Sequence, residues 1–310
     1  MNSKGLVSRE EAVDFLVNRL KIRDAEVLLE TGQRRALLEQ YKTRYMQTLP
    51  FQNIYLLAFD CAWKTPSQED SIKSILAGTG GLCIDHNTST SHILRALGYE
   101  TQLCEGQVQT LGDHVAVVVK NVEVDGDLFL VDLGIGFPLF KPIQIKSADR
   151  YLEDTGPITD SFCTYRYVKE GDWFVRYHRK SDSRDGVINM PPIPPVQFED
   201  NKNWIRFMRF HLKEFSHEAL SKSIQAIGDA NKDDHLFACI LLACKYPEGR
   251  YIGCQTNVVL QQPAGCQKLE KIGSDVREAL AKYFPELPND MCEKALANFA
   301  AKMKRTSARQ

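Results

Sequence analysis

The spacing of apolar residues changes period at Gly98, and that change limits the fold more than any other feature of the chain. From Glu10 to about Leu49 the apolar positions recur at helical intervals: Val13, Leu16, Val17 and Leu20, then Leu28 and Leu29, then Leu37, Leu38 and Tyr41. Leu49-Pro50-Phe51-Gln52-Asn53-Ile54 interrupts them, because proline restricts the residue before it and asparagine favours a turn or cap. A further helix is expected over Ser71 to Leu76, stopped by Gly78-Thr79-Gly80-Gly81. Another opens at Cys83, places Ile93, Leu94 and Leu97 on one face, and ends at Gly98. Beyond Gly98 come short β-rich runs at Thr101 to Leu103, Val115 to Val119, Leu128 to Val131 and Tyr165 to Val168, with Asp125-Gly126 as a hairpin signal. Proline-dense Met190 to Pro195 reads as a crossing. Leu236 to Cys244 is helix-compatible, Asn257 to Leu260 strand-like, and Asp275 to Tyr283 a final helix. Helices, then strands, then a mixture argue for an α+β architecture rather than a doubly wound sheet.

Against this frame Cys83 is placed at a helix N-terminus, behind two glycines. A thiol attacks only as thiolate, so it needs a positive local field from a helix end, an imidazolium, or both. The glycines let backbone approach closely and leave amides free to face an oxyanion. His114 starts the run Val115 to Val119, and Asp132 ends the run Phe129-Leu130-Val131. If the Asp125-Gly126 hairpin pairs these runs, the imidazole and the carboxylate meet at one end of the sheet, where the acid can fix the tautomer and stabilise the cation. Taken one at a time, the same residues suit a structural cysteine, an edge histidine and a turn-forming aspartate, so the residues alone leave both readings open.

Pro50-Phe51-Gln52-Asn53, Gly80-Gly81-Leu82-Cys83, Leu94 to Tyr99, His114-Val115 and Val131-Asp132-Leu133-Gly134-Ile135-Gly136 together resemble the arylamine N-acetyltransferase family, in the family's order. The resemblance is strong from Leu49 to Pro138. It implies a papain-like Cys-His-Asp core, with an N-terminal helical bundle over 1–98, a central β-barrel over 99–215 and a C-terminal α/β lid over 216–310. It also implies a triad of Cys83, His114 and Asp132, which moves an acetyl group from acetyl-CoA through a thioester to an arylamine or hydrazine. Acetyl-CoA would be a co-substrate, with no tightly bound cofactor. Ile135, Phe137, Leu139 and Phe51 fall where the family lines its acceptor pocket, and all four are apolar, which favours a flat or hydrophobic acceptor. Thr110 and Gly112 would lie near the acyl group. Two positions depart from the family pattern: Thr79 stands where arginine is usual, and Gln52 where glutamate is usual. Losing both members of a charged pair strands no lone charge.

The remaining signals narrow the class. With 39 basic and 40 acidic residues the net charge is −1, so nothing draws the chain to nucleic acid or an anionic membrane. No stretch approaches the roughly 20 apolar residues that span a bilayer, and a cytoplasmic protein is expected. The nine cysteines form no CxxC pair, so a zinc or dithiol centre is not expected and most read as buried thiols. The glycine loop lacks the lysine of a phosphate-binding loop. Asp85, His86 and His92 are expected at exposed helix positions, and His178, His211, His217 and His235 have no partners visible in the sequence. Lys202, Arg206, Arg209 and Lys213 read as a solvated basic helical stretch. Three other functions share these residues: an amide-forming acyltransferase of natural-product biosynthesis using another donor, a thiol hydrolase, and a non-catalytic relative that only binds.

Overall fold

The computed structural model describes residues 5–59, 65–109, 111–184, 203–230, 237 and 240–307. Its first part is helical: α1 (Arg9–Asp14), which runs on into a π-turn at Phe15–Arg19, then α2 (Ala25–Glu30) and α3 (Arg34–Thr48). Ser8 and Glu11 form a reciprocal capping box that starts α1. After the short strand β1 (Phe51–Gln52) come α4 (Ile54–Ala58), α5 (Gln68–Ala77) and α6 (Cys83–Ala96). Gly78 and Gly98, which terminate α5 and α6, take φ of +87° and +88°. That left-handed conformation is cheap only for glycine, which is why the two stops were readable in advance.

Helix α6 is the centre of the molecule. Every side chain from Cys83 through Ser91 is buried, polar ones included. The expected single apolar face is therefore too narrow, and Asp85 and His86 are interior residues rather than exposed ones. His92 is half-buried against Gln68. Hydrogen bonds replace the water for most of this polarity, as between Ser91 and Thr101 at 2.7 Å, while the Thr88 and Ser89 hydroxyls are buried without a partner.

An eight-stranded antiparallel sheet wraps against this helix in the order β5-β4-β3-β2-β9-β8-β7-β6. Its strands are β2 (Glu100–Gln107), β3 (Leu111–Lys120), β4 (Leu128–Leu130), β5 (Ile143–Lys146), β6 (Ile158–Asp160), β7 (Cys163–Glu170), β8 (Trp173–Arg179) and β9 (Trp204–Glu214). The sheet curls as a half-barrel, with β5 and β6 at its two edges. Helix α7 (Lys180–Arg184) follows β8, and α8 (His217–Ala230) follows β9. Asp127 closes the β3–β4 hairpin by accepting from the amides of Val122, Glu123 and Val124.

The stretch read as a basic helix is strand β9. Pairing on both sides with β2 and β8 decides its conformation, and Arg209 lies over the Trp173 ring at 4.1 Å instead of facing solvent on a helix. Lys202 lies outside the described residues.

A second antiparallel sheet has the order β1-β10-β11-β12-β13, built from β10 (Leu242–Lys245), β11 (Ile252–Gln255), β12 (Val258–Gln261) and β13 (Glu270–Gly273). Residues 242 to 244, read as helix-compatible, are thus extended, because both edges of β10 are taken by β1 and β11. Helix α9 (Val276–Tyr283) starts on an Asp275 cap but is not the last. It is followed by the longer α10 (Asn289–Ser307). Ile54 and Leu57 of α4 pack with Val259, Leu280, Phe284 and Phe299, so a piece of the N-terminal part is built into this C-terminal layer. The Met190 to Pro195 crossing, Thr110 and His235 lie outside the described residues.

Candidate active site

Cys83 is the first residue of α6, and the helix dipole bears on its sulfur. Gly80 permits the approach that puts it there, since a Cβ at that position would lie 1.8 Å from the Pro50 carbonyl oxygen. Gly134 does the same from the other side. A Cβ there would sit 2.5 Å from Cys83 Cα, so only glycine lets the loop after β4 pass over the helix start.

His114 and Asp132 come together as the hairpin pairing requires. Val118 faces Leu130 in the β3–β4 ladder, His114 stands near the start of β3, and Asp132 follows the end of β4. His114 Nε2 lies 2.7 Å from Asp132 Oδ2 in a buried pair. The ring also interacts with the Cys83 side chain, whose sulfur lies 3.8 Å from the Asp113 carbonyl oxygen. Burial by itself would pull the His114 pKa down, but the Asp132 carboxylate outweighs it and, with Cys83, holds the imidazole well above the ordinary histidine range. Asp132 in turn is pushed up by burial and pulled further down by His114 and by hydrogen bonds, so it stays below the usual carboxylate range. A thiol, a cation-retaining imidazole and a permanently ionised acid in this order can exchange one proton between sulfur and ring.

Two residues that complete this arrangement are not apparent in the sequence. Asn87, one turn beyond Cys83 on α6, donates to Asp132 Oδ1 at 2.9 Å and to the Val115 carbonyl at 2.6 Å, and accepts from the Leu133 amide at 2.9 Å. Its i+4 spacing from Cys83 was the available signal. Lys42 of α3 is fully buried and donates to the Asp132 carbonyl at 2.9 Å. No periodicity marks it, because its position matches the apolar stripe.

On the opposite side of Cys83, buried Asp85 accepts from Ser71 Oγ at 2.7 Å, from the Leu82 amide at 2.9 Å and from the Tyr55 hydroxyl at 3.2 Å. Burial raises its pKa against these bonds. His86 is held between Tyr45 OH at 2.9 Å and the Pro50 carbonyl at 3.2 Å, and burial brings it down to about 4. At the two departures from the family pattern, Gln52 Oε1 accepts from the amides of Ile54 and Tyr55, while its Nε2 donates to the Thr79 carbonyl. A neutral amide thus links the two segments.

Among the expected pocket residues, Phe51 is buried and stacks on His86, Ile135 is buried beside the site, and Leu139 is wholly interior. Phe137 is partly buried and packs on Phe162, Phe207 and His178. Gly112 has φ +82° and faces Ser223 of α8. His178 accepts from Arg176 Nε, and His211 pairs with Glu105, so both have partners that the sequence hid. His217 lies 3.3 Å from the Ser221 hydroxyl. Among the described residues no group of three or more His, Cys, Asp or Glu could hold a metal, and no helix is long and apolar enough to cross a membrane.

A family model described as N-acetyltransferase matches residues 36–285, which include both sheets and the whole site. The chain belongs to the arylamine N-acetyltransferase family. It is similar to the arylamine N-acetyltransferase of Escherichia coli K12, 27% identical over 174 residues, which is 54% of this chain. The chain matches about half the length, 51%, of that curated relative. In fold it is similar to the arylamine N-acetyltransferase of Mycobacterium abscessus, with TM-score 0.65 and 15% identity, covering 92% of this chain and 97% of that one. The Salmonella typhimurium arylamine N-acetyltransferase also gives 0.65, at 16% identity, covering 95% and 100%. An arylamine N-acetyltransferase from Bacillus cereus, described as having a unique Cys-His-Glu catalytic triad, gives 0.61 at 20% identity, covering 89% and 97%. In the present family member, the carboxylate that meets His114 belongs to Asp132.

Proposed function

We propose that this chain transfers an acetyl or other acyl group from a coenzyme A thioester to a small arylamine or hydrazine by a ping-pong mechanism through Cys83. The observation that carries the reading is the sequence of contacts from the Cys83 side chain through the His114 ring to Asp132 Oδ2. Cys83 gives its proton to His114, and the thiolate attacks the carbonyl carbon of the acyl donor. The oxyanion is held by backbone amides, as the free N–H groups at the start of α6 would allow. Collapse breaks the bond to coenzyme A, whose sulfur takes the proton back from His114. In the second half the acceptor amine attacks the thioester carbon, gives its proton to His114, and leaves as the amide while Cys83 is restored. Asp132 stays ionised throughout and holds the imidazolium.

In this reading Phe51, Ile135, Phe137 and Leu139 shape the acceptor side, and Thr110 and Gly112 the acyl side. Residues 1–98, 99–215 and 216–310 serve as nucleophile-bearing bundle, half-barrel and lid. The test is intact-protein mass after incubation with acetyl-CoA, beside longer and dicarboxylic acyl-CoAs, for the wild type and Cys83→Ala. One acyl increment that is absent in the variant and cleared by an arylamine supports transfer and names the donor. An increment cleared by water alone points to a hydrolase, and no increment with any donor would sink the coenzyme A reading.

A further inference from the structure

Lys42 reaches Asp132 from the far side of the triad. Its Nζ, on a side chain with no exposed surface, lies 2.9 Å from the Asp132 carbonyl oxygen. A buried ammonium needs compensation, and a single neutral carbonyl supplies little. The charged groups facing it are Asp132 from the loop after β4, Arg176 from β8 and Asp160 from β6. The two carboxylates favour the ammonium, and Arg176 opposes it. Burial is the largest effect and brings Lys42 down to about 7. His86 of α6 and Tyr167 of β7 also lie in the field of the same Asp132 carboxylate, which favours the His86 cation and opposes the Tyr167 phenolate, but burial keeps both neutral, His86 down to about 4. Lys42, whose charge changes near neutrality, and His114, whose imidazolium is held well above the ordinary histidine range, therefore share one acid.

We propose that Lys42 is a positioning residue of the triad: its buried amine ties the Asp132 main chain to α3, and its charge sets how firmly Asp132 holds the His114 imidazolium. The direction follows from Coulomb's law. A charged Lys42 competes with the imidazolium for Asp132, so proton transfer from Cys83 sulfur to the His114 ring becomes less favourable. A neutral Lys42 releases the carboxylate to the imidazolium and favours the thiolate–imidazolium pair. Only the proton shared by sulfur and ring changes place, and no further reactant is needed. The inference rests on the reading of Cys83, His114 and Asp132 as the reacting groups.

The test uses iodoacetamide, which needs no acyl donor. The rate of Cys83 alkylation is followed against pH in the full chain, with the alkylated peptide identified by mass, for the wild type, Lys42→Met and Lys42→Arg. At pH values where sulfur and ring share one proton, the methionine variant is expected to alkylate faster, by up to roughly tenfold, and the permanently charged arginine no faster than the wild type. One common profile for all three chains would overturn the proposal. A general loss of packing moves both variants the same way, and that outcome also counts against it.

A second measurement does not depend on either variant folding. Linkage is reciprocal, so in protein labelled at lysine Cε the buried lysine resonance that titrates near neutrality should move to lower pH in Asp132→Asn. An unmoved midpoint overturns the shared-carboxylate account. Alkylation falling on another cysteine would instead overturn the triad reading, and the role of Lys42 with it.

Discussion

Asn87 Nδ2 lies 2.9 Å from Asp132 Oδ1, joining the helix that carries Cys83 to the carboxylate that meets His114. The same amide bonds the Val115 carbonyl next to His114 and the Leu133 amide next to Asp132. One side chain on α6 therefore fixes the strand ends bearing the other two members, one turn away from the first. Replacement by alanine leaves several buried polar groups without partners, each costing about 1–3 kcal/mol. Asn87→Ala is expected to lose on the order of 3 kcal/mol in denaturant unfolding and to slow Cys83 alkylation, whereas Asn87→Asp, which sets a second carboxylate against Asp132, should cost more.

Removing the acid while keeping its shape isolates its charge. In Asp132→Asn only Cys83 still opposes the burial of His114, so the pKa of its imidazole falls. The thiolate then forms only at higher pH. Acylation should drop by about 10³–10⁴-fold, by analogy with loss of the acid in serine-protease triads, and the midpoint of Cys83 alkylation should rise. A midpoint at its wild-type value would show that Asp132 does not act through His114.

His86 gives a stability profile with a definite sign. Folded, it keeps its neutral form down to about 4, while the unfolded chain takes up the proton near 6.5. Its contribution is complete above about 6.5 and is lost as pH falls from there to about 4, on the order of 3 kcal/mol in all. The difference in unfolding free energy between wild type and His86→Gln should shrink across that window. A constant difference would place the His86 titration outside it.

The amide bridge between Gln52 and Thr79 predicts a dependence between the two sites. Gln52→Glu alone turns a carboxylate oxygen towards the Thr79 carbonyl, now 3.2 Å from Nε2, and buries a charge where a neutral amide now donates. It should destabilise by about 3 kcal/mol or more. Adding Thr79→Arg should recover part of this, so a double-mutant cycle should give a favourable coupling. Additive effects would show that the two positions act independently.

Gly134 approaches Cys83 closely. A methyl group there meets Cys83 Cα at 2.5 Å and Asn87 Nδ2 at 2.7 Å, so Gly134→Ala must displace the loop or the start of α6. Loss of Cys83 reactivity with a stability change of about 1–3 kcal/mol is expected. Unchanged alkylation would show that the loop has room that the backbone positions deny.

The parts of the fold that could be read in the chain are those where a local rule and the tertiary structure agree. Glycines at 78 and 98 stop helices because of the φ they adopt, and the β3–β4 hairpin delivers His114 and Asp132 because both strands are continuous β-formers around a turn. Where the two disagree, the sequence misleads. Arg206 and Arg209 share a helical face on paper, but two neighbouring ladders pull them into β9. Residues 242 to 244 suit a helix and are claimed by β1 and β11. Lys42, Asp85 and Asn87 were hidden for one reason: a polar residue is buried only if distant segments bring partners to it, and those partners are invisible in any short window. Asp85 accordingly read as surface, and nothing in the sequence singled out Lys42.

The pairing of β1 with β10 has a consequence for the order in which the protein is made. Phe51 and Gln52 leave the ribosome long before Cys244 and Ala243, the residues they face. Until those arrive, Ile54 and Leu57 have no Val259, Leu280 or Phe299 to cover them. The segment that precedes α6 therefore stays uncovered until those residues have been synthesised. Contacts this distant in sequence slow folding and leave apolar surface exposed while the chain is incomplete.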